Sequence, residues 1–308
     1  MTMDSPQGID GSYTPAYHDK VAAYVLPNDA PEHVRLEYQC RLLRDVYASH
    51  GQQSEFHAPL PASVNNLLDV GCGTGVCSDA AAARFPQAHV YGVDLSPVPG
   101  GIREKRPNIQ YLVADILKGP DALNAGGAPG IGEYDFVFSR LLALGMSDWR
   151  SYLKIGHDLL RTGGWMEVHD FNFIVLDASG KVISDESSAP GEEFEWLRLL
   201  RIEASKTGLD FESGFNAQSL MRNAGFVAIQ TWRYDWWFGP KHASNPAEEK
   251  LGQYVLTWML PFFHHVINRV MTGKMSEGEI SEVQRKCKES LRQREARFVY
   301  AVSVGRKA

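Results

Sequence analysis

The chain has 308 residues, 44% apolar and 22% charged, with a net charge of −6. That length suits one large α/β domain with insertions, or a domain plus a helical cap. The acidic balance excludes a general attraction to nucleic acid or an anionic membrane, no apolar run reaches spanning length, and the first residues lack a secretory core. The expected location is the cytoplasm, or the nucleus. Cys40, Cys72, Cys77 and Cys287 form neither a disulfide ladder nor a metal-binding spacing, which fits a reducing compartment.

Met1 to Thr14 is polar and expected to be loosely docked. Tyr17 to Leu26 carries apolar residues, and Pro27-Asn28-Asp29-Ala30-Pro31 punctuates the chain. Asn28 or Asp29 can cap the next helix, expected over Glu32 to Ser49.

Leu67-Leu68-Asp69-Val70 reads as a buried parallel strand, and Gly71-Cys72-Gly73-Thr74-Gly75 as the bend at its carboxyl end. Such a bend brings backbone N–H groups close to a ligand. Val76 to Arg84 follows as a helix. A dinucleotide fingerprint needs its third glycine at the position of Val76, and a P-loop needs Gly-Lys-Ser/Thr; both are absent. A glycine-rich turn with no ligand is the plain alternative. Val90 to Asp94 is a second strand, its acid about twenty residues past the loop, where it can take ribose hydroxyls. Ile109 to Val113 is a third, followed by Asp115 and Ile116. Each acid alone could be a solvated strand end; the three together form a specific pattern.

Tyr134 to Arg140 is the fourth strand. Asp148 can cap a helix that Gly163-Gly164 would end, and Trp165 to Asp170 is the fifth strand. Helices are expected over Glu192 to Thr207 and Asn216 to Asn223, then strand six over Phe226 to Trp232 with an aromatic extension. A helix over Leu251 to Met271 should kink at Pro261, and Ser276 to Arg294 is a further helix. Phe298 to Val304 is the last strand.

Asp69-x-Gly-x-Gly-x-Gly resembles motif I of class I S-adenosylmethionine (SAM)-dependent methyltransferases. Tyr24-Val-Leu-Pro27-Asn28-Asp29, then Glu32, Arg35-Leu36 and Gln39, resembles the entry of the LaeA-like methyltransferases, a mainly fungal group around secondary-metabolite gene clusters. The run from Asp148 to Asp170 is similar to that group too, with Thr162 where it usually has proline. The resemblance implies an α/β, Rossmann-like fold: a seven-stranded, mostly parallel sheet with an antiparallel last strand. Residues 1–60 would form an N-terminal segment and lid, and 61–308 a SAM-binding domain with helical insertions at about 171–225 and 240–295. It implies SAM as cofactor and S-adenosylhomocysteine as product. Asp69 would hold the ammonium group, Asp94 the ribose and Asp115 the adenine. Tyr24, Gly71, Cys72, Gly73, Gly75, Leu95, Ile116, Ser139 and Arg140 would complete the pocket. Tyr24 and Arg35 could equally pin a helix to the domain.

A hydroxyl acceptor usually needs a base. His169 is the first candidate, beside the expected methyl position, and His264 and His265 the second. A hydrogen-bonded structural histidine is the alternative. Phe171, Trp232, Trp236, Trp258 and Phe262 suit an aromatic or polyketide-like substrate, though such rings also simply fill a core. No metal site is expected, since the histidines and acids lack compact spacing. The expected activity is methylation of a small-molecule natural product, on oxygen, by a monomer or homodimer without nucleic-acid or membrane partners. A SAM-binding regulator acting through partner proteins, or a cyclisation or dehydration on the same fold, remain alternatives.

Overall fold

The structure is a computed structural model describing residues 30–184, 193–293 and 295–308. The capping pair Asn28 and Asp29, and Tyr24, lie outside the described residues. The strands β1 (Asn66–Val70), β2 (His89–Asp94), β3 (Ile109–Val113), β4 (Tyr134–Arg140), β5 (Leu160–Asp177), β6 (Phe226–Trp237) and β7 (Ala296–Lys307) form one sheet ordered β3-β2-β1-β4-β5-β7-β6. Neighbours from β3 through β5 pair in parallel, and β7 is antiparallel. The chain forms two compact units, and β5, β6 and β7 each contribute a segment to both.

The sheet unit comprises Gln52–Phe171, Ser213–Arg233 and Ala301–Ala308. α2 (Val76–Arg84) covers one face, with Cys77, Ala81 and Ala82 packed against Leu67, Val90 and Phe136. α3 is the single turn Pro120–Asn124. α4 (Trp149–Leu159) and α6 (Ser213–Asn223) cover the other face, against Leu68, Val137 and Met166. This alternation follows from strand period two: odd residues of β1 meet α2 and even ones meet α4. Asp148 caps α4, its Oδ1 accepting the Ser151 N–H at 2.9 Å. Gly163 and Gly164 do not end that helix. α4 stops at Leu159, and β5 pairs at once through Leu160 with Tyr134, then skips to Trp165 opposite Phe136. The glycines form the bulge between, where Gly163 has φ 79° and a Cβ on Gly164 would lie 3.1 Å from the Asp135 carbonyl.

Among the described residues, the helical unit comprises 30–51, 172–184, 193–212, 234–293 and 295–300. It holds α1 (Ala30–Ser49), α5 (Glu195–Ser205), α7 (Pro246–Tyr254), α8 (Leu260–Met271) and α9 (Glu277–Gln293). The single helix expected from Leu251 starts earlier and is interrupted by a π-helical stretch, Val255–Met259. Pro261 follows directly; it has no N–H to donate to Thr257, and the wide turn ahead of it absorbs the missing bond. Arg35 is buried beneath this turn. Its guanidinium donates twice to Glu32, at 2.7 and 2.6 Å, and to the Tyr254 hydroxyl at 2.8 Å, and lies 4.5 Å from the Phe262 ring centre. Among the described residues, no helix is long and apolar enough to cross a membrane.

Candidate functional site: the carboxyl edge of the sheet

The strand order reverses between β1 and β4, the point where open α/β sheets bind ligands. Gly71, Gly73 and Gly75 have φ of 68°, 54° and 77°, in the left-handed region open chiefly to glycine. The Gly71 and Cys72 N–H groups donate to the Val93 carbonyl at 2.8 and 3.1 Å, stitching the bend to β2. The Gly73 N–H donates to Asp94 Oδ2 at 2.9 Å, and the Ser96 N–H to Asp94 Oδ1 at 3.0 Å. Asp94 therefore orders the bend itself, one oxygen serving Gly73 and the other Ser96.

Gly75 has a further reason to be glycine. A Cβ there would fall 2.4 Å from the Tyr111 hydroxyl, and one on Gly92 2.7 Å from the same ring. Tyr111 stands opposite Gly92 on β3 and crosses both positions. The constraint at Gly75 thus comes from a neighbouring side chain as well as from the bend.

Asp69 is 2% exposed and accepts the Ser78 hydroxyl at 2.6 Å. Burial pushes its carboxyl up to about 6, opposed by Ser78 and by the charge of Arg140 and reinforced by Asp94. Asp69, Asp94 and Arg140 thus act on one another electrostatically, and a buried acid whose ionisation is penalised favours a cationic ligand. Asp115 caps the 3-10 turn Ile116–Lys118, its Oδ1 accepting the Leu117 N–H at 3.0 Å. Leu95 is half-buried, while Ile116 and Cys72 are buried; burial, first of all, raises the Cys72 thiol well above its ordinary value. Arg140 ends β4 half-buried, and Ser139 is fully buried. The side-chain-free bend, the buried Asp69 and the Asp94 carboxylate at the end of β2 fit a cationic nucleoside such as SAM.

His169 is placed differently from the expectation of a base. It is 0% exposed, and its Nε2 lies 2.5 Å from Glu167 Oε1. Burial lowers the imidazole below its ordinary value despite the carboxylate beside it. Glu167 also accepts the His57 N–H on both oxygens at 2.9 Å and the Ala58 N–H at 2.7 Å. Burial alone would raise Glu167; the His169 and His57 hydrogen bonds outweigh it and hold the group low. In this arrangement Nε2 is engaged by Glu167, within the core of the sheet unit. His57 was not singled out from sequence, because more than a hundred residues separate it from Glu167.

The aromatic candidates are mostly core. In the sheet unit Phe171 is 3% exposed, whereas Trp232 is half-buried, its ring 5.1 Å from His57. In the helical unit Trp236 stacks on Tyr300 at 5.6 Å, Trp258 on Tyr254 at 6.5 Å, and Phe262 faces Arg35. His264 and His265 are half-buried on α8; burial lowers the His264 imidazole, and its backbone carbonyl accepts from Gln284 at 3.0 Å.

Residues 36–231 match the family described as methyltransferase domain, and the chain belongs to that family. SAM is the cofactor that membership implies. The chain is 26% identical over 219 residues to the methyltransferase pytC of Aspergillus terreus, covering 71% of this chain and 61% of that protein. It is 31% identical over 219 residues to the secondary metabolism regulator laeA of Coprinopsis cinerea, covering 68% and 52%. It is 27% identical over 189 residues to the methyltransferase str2 of Strobilurus tenacellus, covering 61% and 62%. The chain therefore matches only about half to three-fifths of the length of these relatives.

Proposed function

We propose that the chain methylates a small-molecule natural product of secondary metabolism, at an oxygen of an aromatic or polyketide-type acceptor, with SAM as donor. The observation that carries this reading is the buried, cation-seeking Asp69 beside a bend ordered by Asp94. SAM supplies a methyl group already activated on sulfur. Asp69 would hold the amino group, Asp94 the ribose, Asp115 the adenine, and Arg140 would balance charge near Asp69. The burial of His169 favours an acceptor that ionises by itself near neutral pH, such as an acidic phenol, an enol or a carboxylic acid, which needs orientation more than a base. Incubating the chain with SAM and a panel of such acceptors should give products heavier by one methyl group and an equal amount of S-adenosylhomocysteine. A substrate converted without the methyl mass would replace this reading with a cyclisation or dehydration.

The similarity to a secondary metabolism regulator supports a second reading, a SAM-binding regulator acting through partner proteins. Full cellular function in an Asp94→Ala variant that no longer binds SAM would favour it.

A further inference from the structure

We infer that His57, Glu167 and His169 form a binding site for a divalent transition-metal ion, zinc being the best match. One donor atom from each of the three buried residues lies within 4.8 Å of the others. Glu167 Oε1 is 2.5 Å from His169 Nε2 and 3.6 Å from His57 Nδ1. Zinc bonds of roughly 2.0–2.2 Å in a tetrahedral arrangement need donors about 3.3 Å apart. The His57 pair already stands near that spacing. The His169 pair must open by somewhat less than 1 Å, as the metal replaces the proton between Nε2 and the carboxylate and the imidazole proton moves to Nδ1. Two imidazoles and one carboxylate are a known zinc set that leaves a fourth position for water. The same set disfavours calcium and magnesium, which take oxygen donors.

The surroundings support a site prepared for an ion. Glu167 Oε2 accepts the His57 and Ala58 amides, which fixes the carboxylate plane as an outer shell does for a metal ligand. The Phe138 ring lies 5.0 Å from His169, and Trp232 5.1 Å from His57, giving an apolar wall. Glu167 accepts from two backbone amides and meets two imidazoles, a donor environment in which a divalent ion would offset the charge of the buried carboxylate. Such an ion would tie the segment ahead of β1 to the middle of β5. The inference rests on these distances and not on methyl transfer.

The test is a titration of the untagged, chelator-treated chain with Co²⁺. One equivalent should give the intense visible bands of a four-coordinate ion, and Zn²⁺ should displace them. Zinc at a hundredfold excess over its Kd should raise the thermal midpoint by roughly 5 °C. His169→Gln and His57→Leu should each abolish the bands, with circular dichroism checking the fold. If a variant unfolds, zinc-edge X-ray absorption of the wild-type chain decides: a nitrogen and oxygen shell with imidazole scattering supports the site, and sulfur scattering overturns it. Absence of bands with an unchanged midpoint, or bands that persist in a folded variant, also overturns it.

Discussion

Replacing Glu167 by alanine would remove the acceptor for the His57 and Ala58 amides and the partner of His169, all in a place without solvent contact. Each orphaned buried donor costs about 1–3 kcal/mol. Water entering the space left by the side chain would satisfy part of this, so the low end applies to each, giving a loss of about 3–4 kcal/mol. Glu167→Gln should cost less, about 1–2 kcal/mol, because one oxygen still serves the amides and His169 can accept from the new NH₂ after a tautomer shift. Urea unfolding of metal-free protein, read from midpoint and slope, measures both. An alanine variant within 1 kcal/mol of wild type would refute the view of Glu167 as the hub of this region.

The same cluster sets an acid dependence. Glu167 is held below its ordinary value of 4.5, so its stabilisation is present above that pH and lost below it; His169 is held below 6.5, so the unfolded chain takes that proton first and stability falls as pH drops under 6.5. Asp69, raised to about 6, takes its proton first in the folded chain and opposes this fall, so the decline is read in an Asp69→Asn background, where stability should drop from pH 6.5 downward; a flat profile there between 6.5 and 4 would contradict the His169 assignment. Asp69, raised to about 6, must ionise to hold a cationic ligand, so SAM affinity should tighten roughly tenfold from pH 5 to 7. Calorimetry in two buffers should detect the released proton at pH 5, and Asp69→Asn should abolish the trend. Asp94→Ala should weaken S-adenosylhomocysteine binding by roughly 1–3 kcal/mol, through lost ribose contacts and a loosened Gly73. Tyr111→Phe removes a buried hydroxyl that has no hydrogen-bond partner against Gly75; thermal melts should show it neutral or stabilising by up to about 1 kcal/mol.

Strands β1 to β4 were legible because each is a short apolar run with an acid or an arginine at or just beside its carboxyl end, and the bend after β1 because alternating glycine is rare elsewhere. Local signals failed where long-range contacts decide. Gly163-Gly164 reads as a helix stop, yet Asp135 and Tyr134 on β4 turn it into a strand bulge. The aromatic run through Trp236 reads as a substrate wall, yet Tyr300 and Tyr254 close over that ring. Gly75 reads as ligand-facing, yet Tyr111 occupies the space a side chain would take. The His57–Glu167–His169 cluster has no spacing signature, because register between β4 and β5 and the loop ahead of β1 assemble it.

Calorimetric titration of the purified chain with S-adenosylhomocysteine at pH 7 is the most direct test of the pocket assigned to Asp69, the glycine bend and Asp94. One ligand per chain, bound in the micromolar range and weakened in Asp94→Ala, is the predicted result. No heat of binding at millimolar ligand, from a chain shown by circular dichroism to be folded, would contradict it.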